Sequence, residues 1–475
     1  MRAKWGLPLL AFLVPLIYRI ALELYSNPFT VGYDTLVFYL PHITGFYSPS
    51  PVELYGYAPL YYIIAYAAKS ILGDPLTAIK VLAIALQGLF GLSLFLWSST
   101  ILTRQKALIF SLTASFFFTT LRIAWDLHRN ALGLTLMLLT LFSLEMIKGR
   151  RSQIIIASSL GILTALCNPL IPPILIMMLL PKLLRREKIS ILISSTTMAV
   201  WLSTLIAQFM SKSSLSDTMF AHLIPLGSSS LFPSGLIGLE FFAYIMVPLL
   251  PLFLLCALSG RMNKYMYKKT IPALIWLIFC IILGLTTGIG FRFLLMAPIP
   301  AIFLIVFYSG RKTQVVLIGV VVVLSIGYST YGTFNPFPYF TSPWMWHSEF
   351  LNAVPSSMLQ NTVPLEDSQT VINLFGDLRA TINEYNDSRL LVFRPMLSYA
   401  ILSDISPSKI ILFDVIFNNT ELTNYLHEGY NIYTIWWKPG YQWYGLDMAE
   451  FEGANFSINA TSGDYAIYYI KGFKN

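Results

Sequence analysis

The chain has 475 residues, of which 56% are hydrophobic and 11% charged. A soluble domain carries roughly a quarter charged residues, so this composition excludes a single water-soluble globule and points to a multi-pass integral membrane protein. The net charge of +8 does not argue for a nucleic-acid partner, because the basic residues sit in small clusters between apolar runs and read as topology signals.

In chain order, the first apolar run, 6–25, follows a basic start containing Arg2 and Lys4 and lacks a small-residue cleavage site. It predicts an uncleaved helix with a cytoplasmic N-terminus. The next piece, 59–72, contains Lys69 and is thick with tyrosine. It is shorter than the roughly 20 residues a crossing needs, which places it as a helix on the outer surface. Further crossings are predicted over 76–102, 107–124, 130–147, 154–167, 170–184, 189–210, 236–258, 271–288, 291–308 and 315–331, eleven in all with the first.

Charge supports this arrangement. With 59–72 lying flat, the clusters at Arg104 and Lys106, Lys148 to Arg151, Lys182 to Lys188, Arg261 to Lys269, and Arg311 and Lys312 all fall in the cytosol, as the positive-inside rule requires. The stretch 154–184 is interrupted around Asn168, Pro169, Pro172 and Pro173. Basic clusters at both of its ends make it a helical hairpin, since only an even number of crossings returns the chain to the same side. Cys167, Cys256 and Cys280 all lie in apolar runs, so no disulfide framework is expected.

After Tyr331 charge, Asn and Asp return. An odd number of crossings puts this tail outside. Short strand-like runs at 370–375, 390–393, 410–413, 431–436 and 465–470, separated by polar segments, predict a small α/β domain. Its N-x-S/T tripeptides at Asn386, Asn418, Asn455 and Asn459 fit a glycosylating compartment. The expected fold is therefore a polytopic α-helical membrane protein. It has a transmembrane domain over 1–331, a long first outer loop at 26–75, and an extracytoplasmic soluble α/β domain over 332–475.

Functional groups concentrate on the outer side. The first loop holds Gly32-Tyr33-Asp34-Thr35, His42, Glu53 and Tyr57-Ala58-Pro59-Leu60-Tyr61-Tyr62. The second reads Arg122-Ile123-Ala124-Trp125-Asp126-Leu127-His128-Arg129-Asn130, and Arg292 stands at the outer end of an otherwise apolar helix. His42, His128 and His222 show no metal-ligand spacing. The tyrosines around Tyr57 can stack on a sugar or form an interfacial aromatic belt. Arg19 and Glu23, four apart on one helix face, read as a structural pair.

An acidic first loop with a Pro59-Leu60-Tyr61 surface helix, an acidic second loop and an Arg292-Phe293-Leu294-Leu295 helix start together resemble the GT-C glycosyltransferases. That superfamily includes protein mannosyltransferases, aminoarabinose transferases and oligosaccharyltransferases. The resemblance implies inverting transfer of a sugar from a polyprenyl-phosphate donor to a glycan, lipid or protein acceptor on the outer face of the cell membrane. Such chemistry needs a base for the acceptor hydroxyl and positive charge for the departing phosphate. Asp34 matches the first-loop acid and is the candidate base; its bland reading is a capping residue. Asp126 is the second catalytic candidate, for acceptor binding or for a divalent metal, or it simply pairs with Arg122 or Arg129.

Arg292 is the candidate phosphate ligand, against snorkelling to headgroups, with Lys80 and Arg129 as further donor-phosphate candidates. His42, Glu53, Tyr57 and His128 are the acceptor or sugar-binding candidates. No cofactor is expected, with a divalent metal left open. Trp436-Trp437-Lys438-Pro439-Gly440 is similar to the acceptor-reading motif of oligosaccharyltransferases but lacks its acid, and reads as a strand end followed by a turn. The competing classes are a lipid or sugar transporter or flippase, for which no second broken helix is found, and a non-catalytic envelope scaffold.

Overall fold

The structure is a computed structural model that describes residues 6–26, 28–32, 34–211, 242–243, 245–258, 264–286, 290–334, 367–413, 419–438 and 454–473. His222, Asn418, Pro439, Gly440 and the first part of the expected 236–258 crossing lie outside the described residues. Helix α1 spans Gly6–Tyr25, and a π-helical turn at Thr35–Tyr39 leads into α2, Leu40–Thr44. Next come α3, Pro51–Gly56, α4, Leu60–Leu72, and α5, Pro75–Ser99. Helices α6, Arg104–Phe116, α7, Phe118–Trp125, α8, His128–Met146, α9, Arg150–Cys167, α10, Ile171–Leu184, and α11, Lys188–Ser211, follow. Beyond them are α12, Leu250–Leu258, α13, Lys264–Thr286, α14, Gly290–Met296, α15, Pro298–Tyr308, and α16, Arg311–Phe334.

The chain forms two compact units. The first comprises Met1–Tyr25, Pro49–Leu72 and Lys80–Tyr328. Its helices carry the signature of a bundle surrounded by lipid. On α1 the buried stripe is Ala11, Pro15, Arg19 and Glu23, one residue every turn, while Leu9, Leu10, Ile17 and Leu24 are exposed. In water that arrangement would be inverted. Every residue of α15 is buried, and α15 packs on α6, α12 and α13, which makes it a central helix of the unit.

Small residues set the closest approaches, as expected where lipid gives helices no hydrophobic reason to associate. A Cβ at Gly91 of α5 would lie 2.4 Å from the Ala11 carbonyl oxygen of α1, and Ser111 Oγ of α6 donates to the Gly91 carbonyl at 2.6 Å. Gly161 meets Thr197 in the same way between α9 and α11.

Among the described residues four helices are long and apolar enough to cross a membrane, α1, α5, α11 and the Lys268–Thr286 part of α13, or five if a bent pair counts as one span. The bent pair is α6 and α7. The single helix expected over 107–124 is broken at Phe117, whose backbone is extended (φ −63°, ψ 136°), and the two parts meet at 67°. The 154–184 stretch does divide at Asn168, also extended, into α9 and α10. Three apolar helices, Leu60–Leu72, Ile171–Leu184 and Arg292–Tyr308, are shorter than a full span.

The second unit comprises Ser26–Ser48, Gly73–Ile79 and Ser329–Asn475. Its strands are β1, Ser388–Phe393, β2, Ile410–Phe413, β3, Asn431–Trp437, β4, Ala454–Ser462, and β5, Tyr465–Phe473, in sheet order β2-β1-β3-β5-β4. β1 pairs in parallel with β2 and β3, and β5 antiparallel with β3 and β4. Among the described residues the unit also holds α2 and the helices α17, Ser368–Glu384, α18, Leu397–Leu402, and α19, Asn419–His427.

The tail departs from the expected strands in two places. The 370–375 run is part of α17 rather than a strand. Its apolar residues continue as Val371, Leu374, Phe375, Leu378 and Ile382, the helical period, and all are buried. The segment 454–462, not among the expected strand-like runs, is β4. It pairs with β5 at the sheet edge; its sequence alternates apolar and polar residues from Ala454 to Thr461, yet Ile458 on the apolar face is exposed there. The Trp436–Trp437 pair belongs to the sheet core: Trp436 is buried and lies edge-on to Phe393 at 5.1 Å, and Trp437 packs on Tyr465 at 5.4 Å.

Candidate functional site

In the first unit the functional side chains gather where α7 turns into α8. Helix α7 ends at Asp126, whose backbone N–H closes the last turn on Arg122 and Ile123. The Asp126 side chain is fully buried and ion-paired with Arg122 one turn earlier. A carboxylate removed from water needs such a partner. Arg19 of α1 braces the same corner. Its Nε donates to Glu23 Oε1 at 2.8 Å and its Nη1 to the Ala124 carbonyl at 3.2 Å. Tyr18, beside it, stacks on Trp125 with centroids 6.1 Å apart.

On the far side of the corner, His128 is buried and its Nδ1 is hydrogen-bonded to the Tyr61 hydroxyl of α4 at 2.8 Å. Arg129 ties three segments together. Its Nε donates to the Cys167 carbonyl at 3.3 Å, its Nη2 to the Tyr57 carbonyl, and its guanidinium stands 5.5 Å from the Tyr62 ring centroid. Asn130 accepts from Asn168 Nδ2 at 2.6 Å, and the same Asn168 side chain caps the start of α10 through the Leu170 N–H at 2.8 Å. Ala58, between Tyr57 and Pro59, has a left-handed backbone (φ 57°). That conformation is unfavourable for a residue with a side chain and turns α3 into α4 beneath the Arg129 clamp.

Arg292 lies half-buried on the short helix α14, which packs against α7. The helix carrying the candidate phosphate ligand thus neighbours the helix that ends at Asp126. Lys80 is half-buried on α5. Glu53 sits in the first turn of α3, where its N–H bonds Ser50 Oγ at 3.2 Å and its carboxylate accepts from the Tyr57 hydroxyl at 3.4 Å.

Asp34 and His42 belong to the second unit. Asp34 is half-buried at the start of the π-helical turn and makes no capping hydrogen bond through its side chain. His42 Nδ1 bonds the Phe38 carbonyl at 2.7 Å, and its ring lies 4.8 Å from that of Tyr47.

No protein-family profile and no curated protein sequence matches the chain. Solved structures do. The crystal structure of ArnT from Cupriavidus metallidurans bound to undecaprenyl phosphate superposes with a TM-score of 0.58 at 12% identity, covering 97% of this chain and 98% of that one. The apo form of the same protein gives 0.56 at 12% identity, with 96% and 97% covered. The chain has the fold of ArnT. The likeness extends over the helical unit and the tail alike.

Sequence reasoning did not single out the Arg19 contact to Ala124, the Tyr61–His128 bond or the Asn130–Asn168 pair. One signal was available for the first. An arginine and a glutamate in an otherwise apolar helix are expensive in lipid and must meet a polar partner. The other two join residues 67 and 38 positions apart, and nothing local announces them.

Proposed function

We propose that this protein is a lipid-linked glycosyltransferase that moves a sugar from a polyprenyl-phosphate donor to an acceptor on the extracytoplasmic face of the membrane, with inversion. The observation that carries this reading is the likeness to ArnT along nearly the whole chain, one of whose structures holds undecaprenyl phosphate. The α7–α8 corner adds chemical support. A buried acid at the end of one helix and an arginine on the helix packed against it are the groups such a transfer requires.

In this reading Asp34 removes the proton from the acceptor hydroxyl as it attacks the anomeric carbon. The bond from that carbon to the phosphate oxygen breaks, and the polyprenyl phosphate leaves with the bonding pair. Arg292, with Lys80 and Arg129, stabilises the charge gathering on the phosphate, and Asp126 orients the acceptor. His42, Glu53, Tyr57 and His128 line the sugar and acceptor path. The bundle crosses eleven times from a cytoplasmic N-terminus, so 332–475 form an extracytoplasmic domain beside the first outer loop.

The test is incubation of purified protein with radiolabelled polyprenyl-phosphate mannose, glucose and aminoarabinose plus host membrane extract. Label should pass to an acceptor with the native chain and not with Asp34→Asn, while Asp34→Asn keeps the native unfolding profile. Equal transfer by Asp34→Asn removes its role as base. No transfer from any donor overturns the reading as a whole.

A further inference from the structure

We propose that the tail domain is the positioning element for the first-loop acid: α18 and the turn before it hold the π-helical segment Thr35–Tyr39 in register, and through it fix the direction of Asp34. The functional half of this inference rests on the transferase reading. All the residues concerned belong to the second unit.

Four contacts make the hold. The Ser398 hydroxyl, fully buried, donates to the Leu36 carbonyl in the middle of the π-helical turn. The Tyr399 ring meets Phe29 with centroids 5.6 Å apart. Helix α18 packs on both the π-helical turn and α2, and the 3₁₀ turn Arg394–Met396 packs on the π-helical turn as well. The faces that meet are closed to solvent: Leu36, Leu40 and Ile43 on the loop, Leu397 and Ala400 on the tail.

The segment has a reason to need holding. A π-helical turn contains one residue more than the α-helix it replaces and persists where its surroundings impose it. Were Thr35–Tyr39 to relax to an α-helix, everything before it would rotate by one residue, about 100° at 3.6 residues per turn. Asp34 immediately precedes the turn, so such a rotation would point its carboxylate elsewhere. Ser398 bonds a carbonyl inside the widened turn, and so favours that geometry over the relaxed one. Ser398, Tyr399 and Phe29 are therefore positioning residues that touch neither donor nor acceptor.

The experiment is hydrogen exchange on the full-length protein in detergent, comparing the native chain with Ser398→Ala, Ser398→Thr and Phe29→Ala, alongside transfer assays on the same preparations. Ser398→Ala and Phe29→Ala should each raise exchange across 34–44 at least tenfold and leave β1 and β3 protected. Transfer should then fall in kcat with the donor KM unchanged, and Ser398→Thr, which keeps the hydroxyl, should restore both. Phe29 lies on the loop, so its truncation leaves the sheet intact even if a change at Ser398 unfolds the tail, an event that loss of β1 protection would reveal. Unaltered exchange across 34–44 in Phe29→Ala overturns the proposal, and so does faster exchange with native kcat. If the native chain transfers no sugar, the transferase reading fails, while the exchange measurement still decides whether the tail holds this segment.

Discussion

Breaking the Arg19–Glu23 pair is the sharpest test of how the α7–α8 corner is held. Arg19 is fully buried, Glu23 nearly so, and the guanidinium reaches Glu23 Oε1 with Nε at 2.8 Å and Nη2 at 2.6 Å and the Ala124 carbonyl with Nη1 at 3.2 Å. Arg19→Met keeps an unbranched apolar stem and removes all three contacts. It strands a carboxylate inside the bundle, at a cost of about 3–5 kcal/mol when one partner of a buried pair is lost. The Ala124 carbonyl loses its donor too, for about 1 kcal/mol more. The double change Arg19→Met with Glu23→Gln removes the buried charge and leaves mainly the carbonyl and packing terms, roughly 1–2 kcal/mol.

The double variant should therefore be more stable than Arg19→Met alone by about 2–5 kcal/mol. Tryptophan fluorescence during denaturant-driven unfolding in detergent reports it directly, because Trp125 sits at the corner against Tyr18. If the double variant is no more stable than Arg19→Met, the pair is not what fixes the corner. The account of the site as an architecture built on α1 then fails.

Two further outcomes follow from close contacts. A Cβ at Gly56 would lie 2.6 Å from the Gln208 backbone nitrogen and 2.7 Å from its Cα; Gly56→Ala must part α3 from α11, and thermal unfolding should show a loss of about 1–3 kcal/mol, as for other overpacked contacts. In the tail, burial first and then the Asp367 carboxylate, which accepts the Tyr465 hydroxyl at 3.0 Å, hold the Tyr465 phenol well above its ordinary range. Its stabilising effect is complete below the unfolded tyrosine value of about 10 and is lost as pH rises beyond it, because the unfolded chain ionises first. Unfolding of the tail followed from about pH 9 to 11 should show that loss in the native chain and a flatter slope in Tyr465→Phe.

The sequence by itself determined the class and the alphabet of the site. Apolar runs that exceed what a globule can hide dictate a membrane bundle, since the chain must present greasy faces outward, as Leu9, Ile17 and Leu24 of α1 do. Short strand-like runs marked β1, β2, β3 and β5 in advance, and the loop residues that resemble GT-C enzymes were visible from their order. Tertiary structure decided what periodicity cannot carry. The break at Phe117 follows no Pro or Gly, so only packing reveals it. α17 hid behind a short apolar start, because the residues that show its helical period, Leu378 and Ile382, lie beyond that start. β4 is settled by its pairing with β5 at an edge that leaves Ile458 exposed, and the turn around Leu36 takes its π-helical form beside Ser398, a residue 362 positions away. Local sequence records which face of an element avoids water; which distant element covers that face is settled only when the chain has closed on itself.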